Sequence, residues 1–281
     1  MEIFKKLIAA NFIVFAAAYT AVCAGNDPAL EKISQNFMPY DSVAFNYAHT
    51  FGDESKFPEK SENFLAVDFK NMRLKSVSNQ YFREKPAGEF ALKESVSLLF
   101  DSGKAKRLFE YRQNGSSVFS ETKGRFADVF PGVMWFWTDY IDNSEARPWT
   151  ARMGDPKIST EGDALVVTAE DGGDKFVFSF DSDSLLYKKM RRISDGGILK
   201  EEFTLSGYQN IGGRMFPTIL SHRLFKDDGE TVWQDNRYTV DPKSVKFDRA
   251  EAGDFSLEVP KDATLADFPA KAAKPVCKSE K

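Results

Sequence analysis

Between Leu165 and Phe225 the chain is cut by turn clusters at short intervals, and this punctuation limits the fold more than any other feature. The clusters Asp171-Gly-Gly-Asp, Asp181-Ser-Asp-Ser, Asp195-Gly-Gly, Asn210-Ile-Gly-Gly and Asp227-Asp-Gly begin 10, 14, 15 and 17 residues apart. Runs of that length joined by tight turns form an antiparallel meander. No helix-sized crossover separates them, which argues against a parallel α/β sheet. Within the runs the period is two. Phe176, Phe178 and Phe180 share one face, with Val177 and Ser179 opposite. Leu199, Phe203 and Leu205 share one face, with Lys200, Glu202, Thr204 and Ser206 opposite. Such a sheet is dry on one side and wet on the other.

The first half follows the same rhythm after one helix. Asp27-Pro28 is an N-cap followed by proline at the first helical position. Leu30, Ile33, Phe37 and Met38 then fall on one helical face, and Pro39 ends it. Residues 64–69, 72–77, 95–100 and 105–111 read as strands. Asp101-Ser102-Gly103-Lys104 and Asn114-Gly115 supply hairpin turns. Long twisted strands in one sheet curl and leave a concave face to be filled. One candidate filler is a helix over 128–143, which Asp128 caps and which tolerates Pro131 in its first turn. Its run Val133-Met-Trp-Phe-Trp137 is apolar all round, which implies burial on more than one side. The same residues suit either a fixed core helix or a plug over a lipid cavity.

Composition narrows the function. The chain holds 26 phenylalanines in 281 residues, against about 14 if all twenty types were used equally. So many rings must be buried in a core, a cavity or both. The net charge of −4 excludes a strongly basic nucleic-acid binder. Two cysteines exclude a disulfide scaffold and a four-cysteine zinc site. Lys5-Lys6, an apolar run from Leu7 to Tyr19 and Val22-Cys23-Ala24 before Gly25-Asn26-Asp27 read as an export signal cleaved after Ala24. Rival readings are an uncleaved anchor and a lipoprotein modified at Cys23. The remaining thiol, Cys277, lies in a lysine-bearing tail that reads as disordered.

Sequence motifs for catalysis are missing. There is no Gly-x-Ser-x-Gly elbow, His-Glu-x-x-His, Walker loop or Gly-x-Gly-x-x-Gly. His49 and His222 are the two imidazoles, and in a strand His222 points away from Ser221. Asp181-Ser-Asp183-Ser lacks the later glycine and terminal glutamate of a calcium loop and reads as a turn. A hydrolase built on two carboxylates stays open as an alternative, although most acids sit in turns or alternate with lysine.

Three stretches carry a family resemblance. They are Phe176-Val-Phe-Ser-Phe-Asp181-Ser-Asp-Ser184, then Phe203-Thr-Leu-Ser-Gly-Tyr208 through Gly213 to Pro217, then Phe255-Ser-Leu-Glu-Val-Pro260. Together they resemble the exported outer-membrane lipoprotein-sorting proteins of the LolA/LolB-like superfamily. The resemblance implies a single curved antiparallel sheet, an open half-barrel, with helices packed in its concave mouth. It further implies a concave face that takes acyl chains.

The reading is therefore mainly β: a signal over 1–24, a carrier-type domain over 25–268 and a tail over 269–281. The expected function is non-catalytic binding of lipid, or of the acyl chains of a lipoprotein, in a periplasmic monomer. The expected ligand-contacting residues are Phe130, Met134, Trp135, Trp137, Phe176, Phe178, Phe180, Phe203 and Leu205. No cofactor, metal or nucleic acid is expected, and peripheral membrane contact fits the lysines of the tail. The alternative on the same fold is a sensor or protein-binding module whose cavity is filled by its own side chains and whose partner is an envelope protein.

Overall fold

The structure is a computed structural model that describes residues 28–37, 41–51, 59–83, 88–129, 132–134, 156–249 and 252–266. The export signal with Cys23, the tail from 269, and Phe130, Trp135, Trp137 and residues 135–143 of the expected helix lie outside the described residues.

The helix α1 (Pro28–Phe37) starts at the proline that fixes its first φ. Its Leu30 and Ile33, one turn apart, are buried in the main core. Six strands follow as a simple meander: β1 (Ser42–Phe51), β2 (Glu59–Asp68), β3 (Arg73–Phe82), β4 (Ala91–Asp101), β5 (Lys104–Tyr111) and β6 (Ser116–Lys123). A second meander comprises β7 (Lys157–Glu161), β8 (Ala164–Asp171), β9 (Asp174–Asp181), β10 (Tyr187–Ile193) and β11 (Leu199–Ser206). A separate small hairpin, β12 (Gln209–Ile211) and β13 (Arg214–Phe216), leads into β14 (Ile219–Phe225) and β15 (Val232–Val240).

The two meanders make one sheet because β1 pairs antiparallel with β15, with Tyr47 opposite Val240 and His49 opposite Tyr238. Short strand β16 (Lys246–Phe247) pairs with the start of β1. Strand β17 (Thr264–Leu265) runs parallel to β6 and is the one parallel pair among the described strands, so the sheet is mixed rather than wholly antiparallel. The order is β17-β6-β5-β4-β3-β2-β1-β15-β14-β11-β10-β9-β8-β7, and its two ends do not pair, so no barrel closes.

The connection over 124–156 joins β6, beside one edge of the sheet, to β7, which forms the other. Its described part rests on the inner face. Phe126 meets Phe100 with ring centroids 5.5 Å apart, and Val129 and Val133 join the main core. The helix expected over 128–143 is described only at its start. There, residues Phe126–Val129 and Gly132–Met134 form two 3₁₀ turns rather than α-helix. Gly132 costs about 1 kcal/mol of helix propensity, which disfavours α-helix at that point.

The turn readings hold. Ser102 and Gly103 take φ of 50° and 75°, and Gly172 and Gly173 take 60° and 90°. Positive φ at both central positions is the hairpin turn that matches strand twist. The Asp181 carboxylate accepts from the Ser184 backbone N–H at 2.9 Å and from the Ser184 hydroxyl at 2.9 Å. Met72, read as the start of a strand, instead sits in the β2–β3 turn with φ 52°. Tyr208, at the end of the long strand run, donates its hydroxyl to the Tyr187 carbonyl at 2.6 Å.

The inner face carries the main core. Phe178, Phe180, Phe203 and Leu205 are buried there with Phe45, Leu65, Tyr187 and Leu220. Each such ring removed from water contributes roughly 1.5–3 kcal/mol. The outer face of the second meander is wet, as its alternation requires. There Arg191, Glu202, Arg223 and Asp235 stand side by side on four neighbouring strands, with Arg191 Nε 2.9 Å from Glu202 Oε2. The outer face of the first meander has a smaller apolar cluster of Ala44, Ala66, Leu99 and Phe255, and the Arg73 guanidinium lies 4.5 Å over the Phe255 ring.

Candidate functional site

A cavity of ≈ 360 Å³ opens on the inner face of the first meander, beside the β1–β15 seam. Pairing register builds it from whole rungs of the sheet. Tyr47, Asn63 and Ser78 face each other across β1, β2 and β3, and the next rung is His49, Ser61 and Gln80. Neighbouring strands lie about 4.8 Å apart, so the two rungs lay six side chains on a continuous patch. Ser76 extends it inward, and Tyr238 from β15 and Gly132 from the crossover bound the end nearest the core. Phe51, Glu59, Lys60, Tyr81 and Lys93 bound the other end.

The polar groups of the floor are uncharged. Burial lowers the His49 pKa, only partly offset by the hydrogen bond from its Nε2 to Asn236 Oδ1 at 3.0 Å, so the imidazole is neutral at pH 7. Its ring stacks on Tyr238 with centroids 4.7 Å apart. Burial pushes the Tyr238 phenol up to about 12. Burial raises the Tyr47 phenol as well, and the nearby Tyr238 adds to the rise. Asn63 Nδ2 donates to Ser61 Oγ at 2.9 Å and to the Tyr47 carbonyl at 3.3 Å. Tyr47 is 7% exposed and lines the cavity. The charges at the outer end are compensated: Lys93 lies 4.0 Å from Glu59, and Lys60 lies 3.3 Å from Glu62.

A second polar row crosses the inner face of the other meander. Arg192 reaches Asp174 Oδ2 at 3.1 Å and Glu201 Oε2 at 3.0 Å. Glu201 Oε1 in turn lies 2.6 Å from Nε2 of the fully buried His222. His222 stands opposite Asn236 on β15, the residue that holds His49. Burial would raise the Glu201 carboxyl, but the hydrogen bond and charge of His222, with those of Arg192, outweigh it and leave the group below its ordinary value. Both imidazoles of the chain thus face the same side of one sheet.

The structure brings Phe178, Phe180, Phe203 and Leu205 together, but in the packed core of the second meander rather than around this cavity. Phe176 is half-buried at the margin of that core, stacked on Phe178 at 6.4 Å. Met134 ends the second 3₁₀ turn of the crossover. Phe176, Phe178, Phe180, Phe203 and Leu205 do not line the cavity. Sequence reasoning missed Tyr47, Asn63, Ser76, Ser78 and Gln80 because a polar inward row looks like an interrupted strand. The available signal was the alternation Phe45-Tyr47-His49-Phe51, an aromatic row with every second residue inward. Among the described residues, no group of three or more His, Cys, Asp or Glu is placed to hold a metal ion.

The site is a cavity in the face of a single open sheet, which makes the molecule a β protein whose cavity lies on its sheet rather than in a cleft between domains. No family model and no curated protein matches the chain. Among solved structures it is similar to a LolA superfamily protein from Nitrosomonas europaea, at 14% identity and TM-score 0.45 over 82% of this chain and 96% of that one. It is also similar to a putative outer membrane lipoprotein-sorting protein domain from Vibrio parahaemolyticus, at 12% identity and TM-score 0.44 over 81% of this chain and 94% of that one. A DUF1329 family protein from Desulfovibrio piger matches at 10% identity and TM-score 0.41 over 81% of this chain and 96% of that one. No residue role is carried over from any of them.

Proposed function

We propose that this is an exported envelope protein that binds lipid, or the acylated end of a lipoprotein, reversibly and without catalysis. One observation carries the reading: the floor of the inner-face cavity interleaves aromatic rings with uncharged polar groups, and its charged residues Glu59, Lys60 and Lys93 stand at the outer end. That lining suits an amphipathic molecule better than an ion, and its volume lies within the roughly 300–1,000 Å³ usual for small-molecule pockets. A 16-carbon chain has about 12 kcal/mol of incentive to leave water, at about 0.8 kcal/mol per methylene. In this reading the cavity takes the head-group end. The chain runs along the inner face against Phe176, Phe178, Phe180, Phe203 and Leu205, with Phe130, Met134, Trp135 and Trp137 as further contacts.

Native mass spectrometry of protein purified from the envelope, with displacement of a fluorescent fatty acid, tests the proposal. Recovered lipid and saturable displacement support it; a lipid-free protein that displaces nothing overturns it. A second reading rests on the tight packing of Phe178, Phe180, Phe203 and Leu205 against their own core. On that reading the inner face is self-filled and the partner is an envelope protein. Recovery of the protein without lipid but in stoichiometric complex with one envelope protein would favour it.

A further inference from the structure

The binding reading leaves open what kind of head group the cavity accepts, and the lining answers that question. Resting on that reading, we propose that the cavity selects an uncharged, hydroxyl-bearing group through Tyr47, Ser76, Ser78 and Gln80 and discriminates against carboxylates. The same chemistry has two sources, the glyceryl end of an acylated molecule and a free polyol.

Three observations carry the inference. Tyr47 is a mostly buried residue that lines the cavity together with Ser76, Ser78 and Gln80. Its hydroxyl can both donate to and accept from a ligand that enters the cavity. Second, the groups on the two rungs each donate and accept, or can do so by rotation, as hydroxyls and amides do. A ligand hydroxyl also does both and meets such a floor at every position. A carboxylate only accepts, and it gains most from fixed cations, which this floor lacks. Third, the nearest charges disfavour an anion or are occupied. Lys60 and Lys93 sit at the outer end, each beside a glutamate. Beyond Gln80 the rung continues on β4 as Glu94. The inward cation Arg107 lies two strands past Ser76, with Leu98 between.

Fluorescence displacement with three probes decides the matter: 1-monomyristoylglycerol, myristate at pH 8, and glycerol. Wild-type protein is expected to bind the monoglyceride about tenfold more tightly than myristate, the scale of one well-placed hydrogen bond. Tyr47→Phe removes only the hydroxyl. It is expected to weaken the monoglyceride roughly five- to tenfold and leave myristate unchanged. Should that variant fail to fold, Ser78→Ala gives the same comparison at a half-buried position. Equal affinity for monoglyceride and myristate, or equal losses for both in the variant, overturns the inference and leaves the lipid reading standing. If neither lipid binds, both fall. Glycerol binding as tightly as the monoglyceride supports the inference and removes the acyl chain from the function.

Discussion

Glu201 is the residue at which this sheet departs furthest from its own pattern. It shares parity with Leu199, Phe203 and Leu205, so β11 carries a carboxylate among inward apolar residues. A carboxylate there is tolerated because Arg192 and His222 both reach it, at 3.0 and 2.6 Å. Removing one partner of a buried charge is costlier than the pair is worth. His222→Leu, which leaves Arg192 in place, is therefore expected to cost about 1–3 kcal/mol. A double-mutant cycle with Glu201→Gln should show a coupling of at least about 0.5 kcal/mol by urea unfolding, the lower end for residues in one network. Because the Glu201 pKa is depressed in the folded state, its stabilisation is complete above the ordinary carboxylate range. It is lost as pH falls through the folded value. The acid side of a Tm-against-pH profile should accordingly be flatter for Glu201→Gln than for wild type. Parity alone made Glu201 and His222 legible as inward residues, since His222 alternates with Leu220 and Leu224. Their pairing was not legible, because it depends on which distant strands become neighbours.

At the level of elements, turns carried most of what could be read in advance, because their chemistry is local. The β14–β15 turn shows why. Asp228 accepts hydrogen bonds from the backbone N–H of Glu230 and Thr231 and from the Thr231 hydroxyl. Led by the Thr231 hydroxyl bond, these contacts hold the Asp228 carboxyl at about 2. Gly229 follows with φ 71°, and a Cβ there would come within 3.1 Å of Ile198 Cγ2 and of the Leu199 backbone nitrogen. The left-handed conformation favours glycine, and the space beside it is tight. Gly229→Ala should cost about 1–2 kcal/mol from the left-handed backbone alone, read by chemical denaturation. Asp228→Ala should lower Tm at pH 7. The loss should shrink as pH falls toward 2, where wild type loses the same charge. The helix expected over 128–143 lies mostly outside the described residues, and its described start forms 3₁₀ turns instead. Within its apolar run Val133 is buried, while Gly132 beside it disfavours α-helix. Burial and helicity are separate properties, and all-round apolarity speaks only to the first.

The whole molecule depends on two features that no local pattern encodes. One is the seam, where Tyr47 pairs with Val240 across about two thirds of the length of the chain. Such contacts close a very long loop, and their register is set by burial on both strands rather than by any turn. The other is the crossover, which reaches the seam at Gly132. A Cβ on that residue would collide with the phenol oxygen of Tyr238, the ring that stacks on His49 and bounds the cavity. Sheet, crossover and site therefore meet at one contact whose fit is set by a missing methyl group. Gly132→Ala should destabilise the protein by about 1–3 kcal/mol, the usual cost of overpacking. Tyr238→Phe removes the colliding oxygen and should restore most of that loss in the double variant, although it removes a hydroxyl from the site. Urea unfolding of the four proteins of this cycle gives the coupling directly. A coupling near zero would mean that the crossover does not bear on Tyr238 in solution. A large coupling with unchanged Tyr47-dependent ligand binding would show that the crossover sets the stability of the seam while the β1–β3 rungs alone set what the cavity accepts.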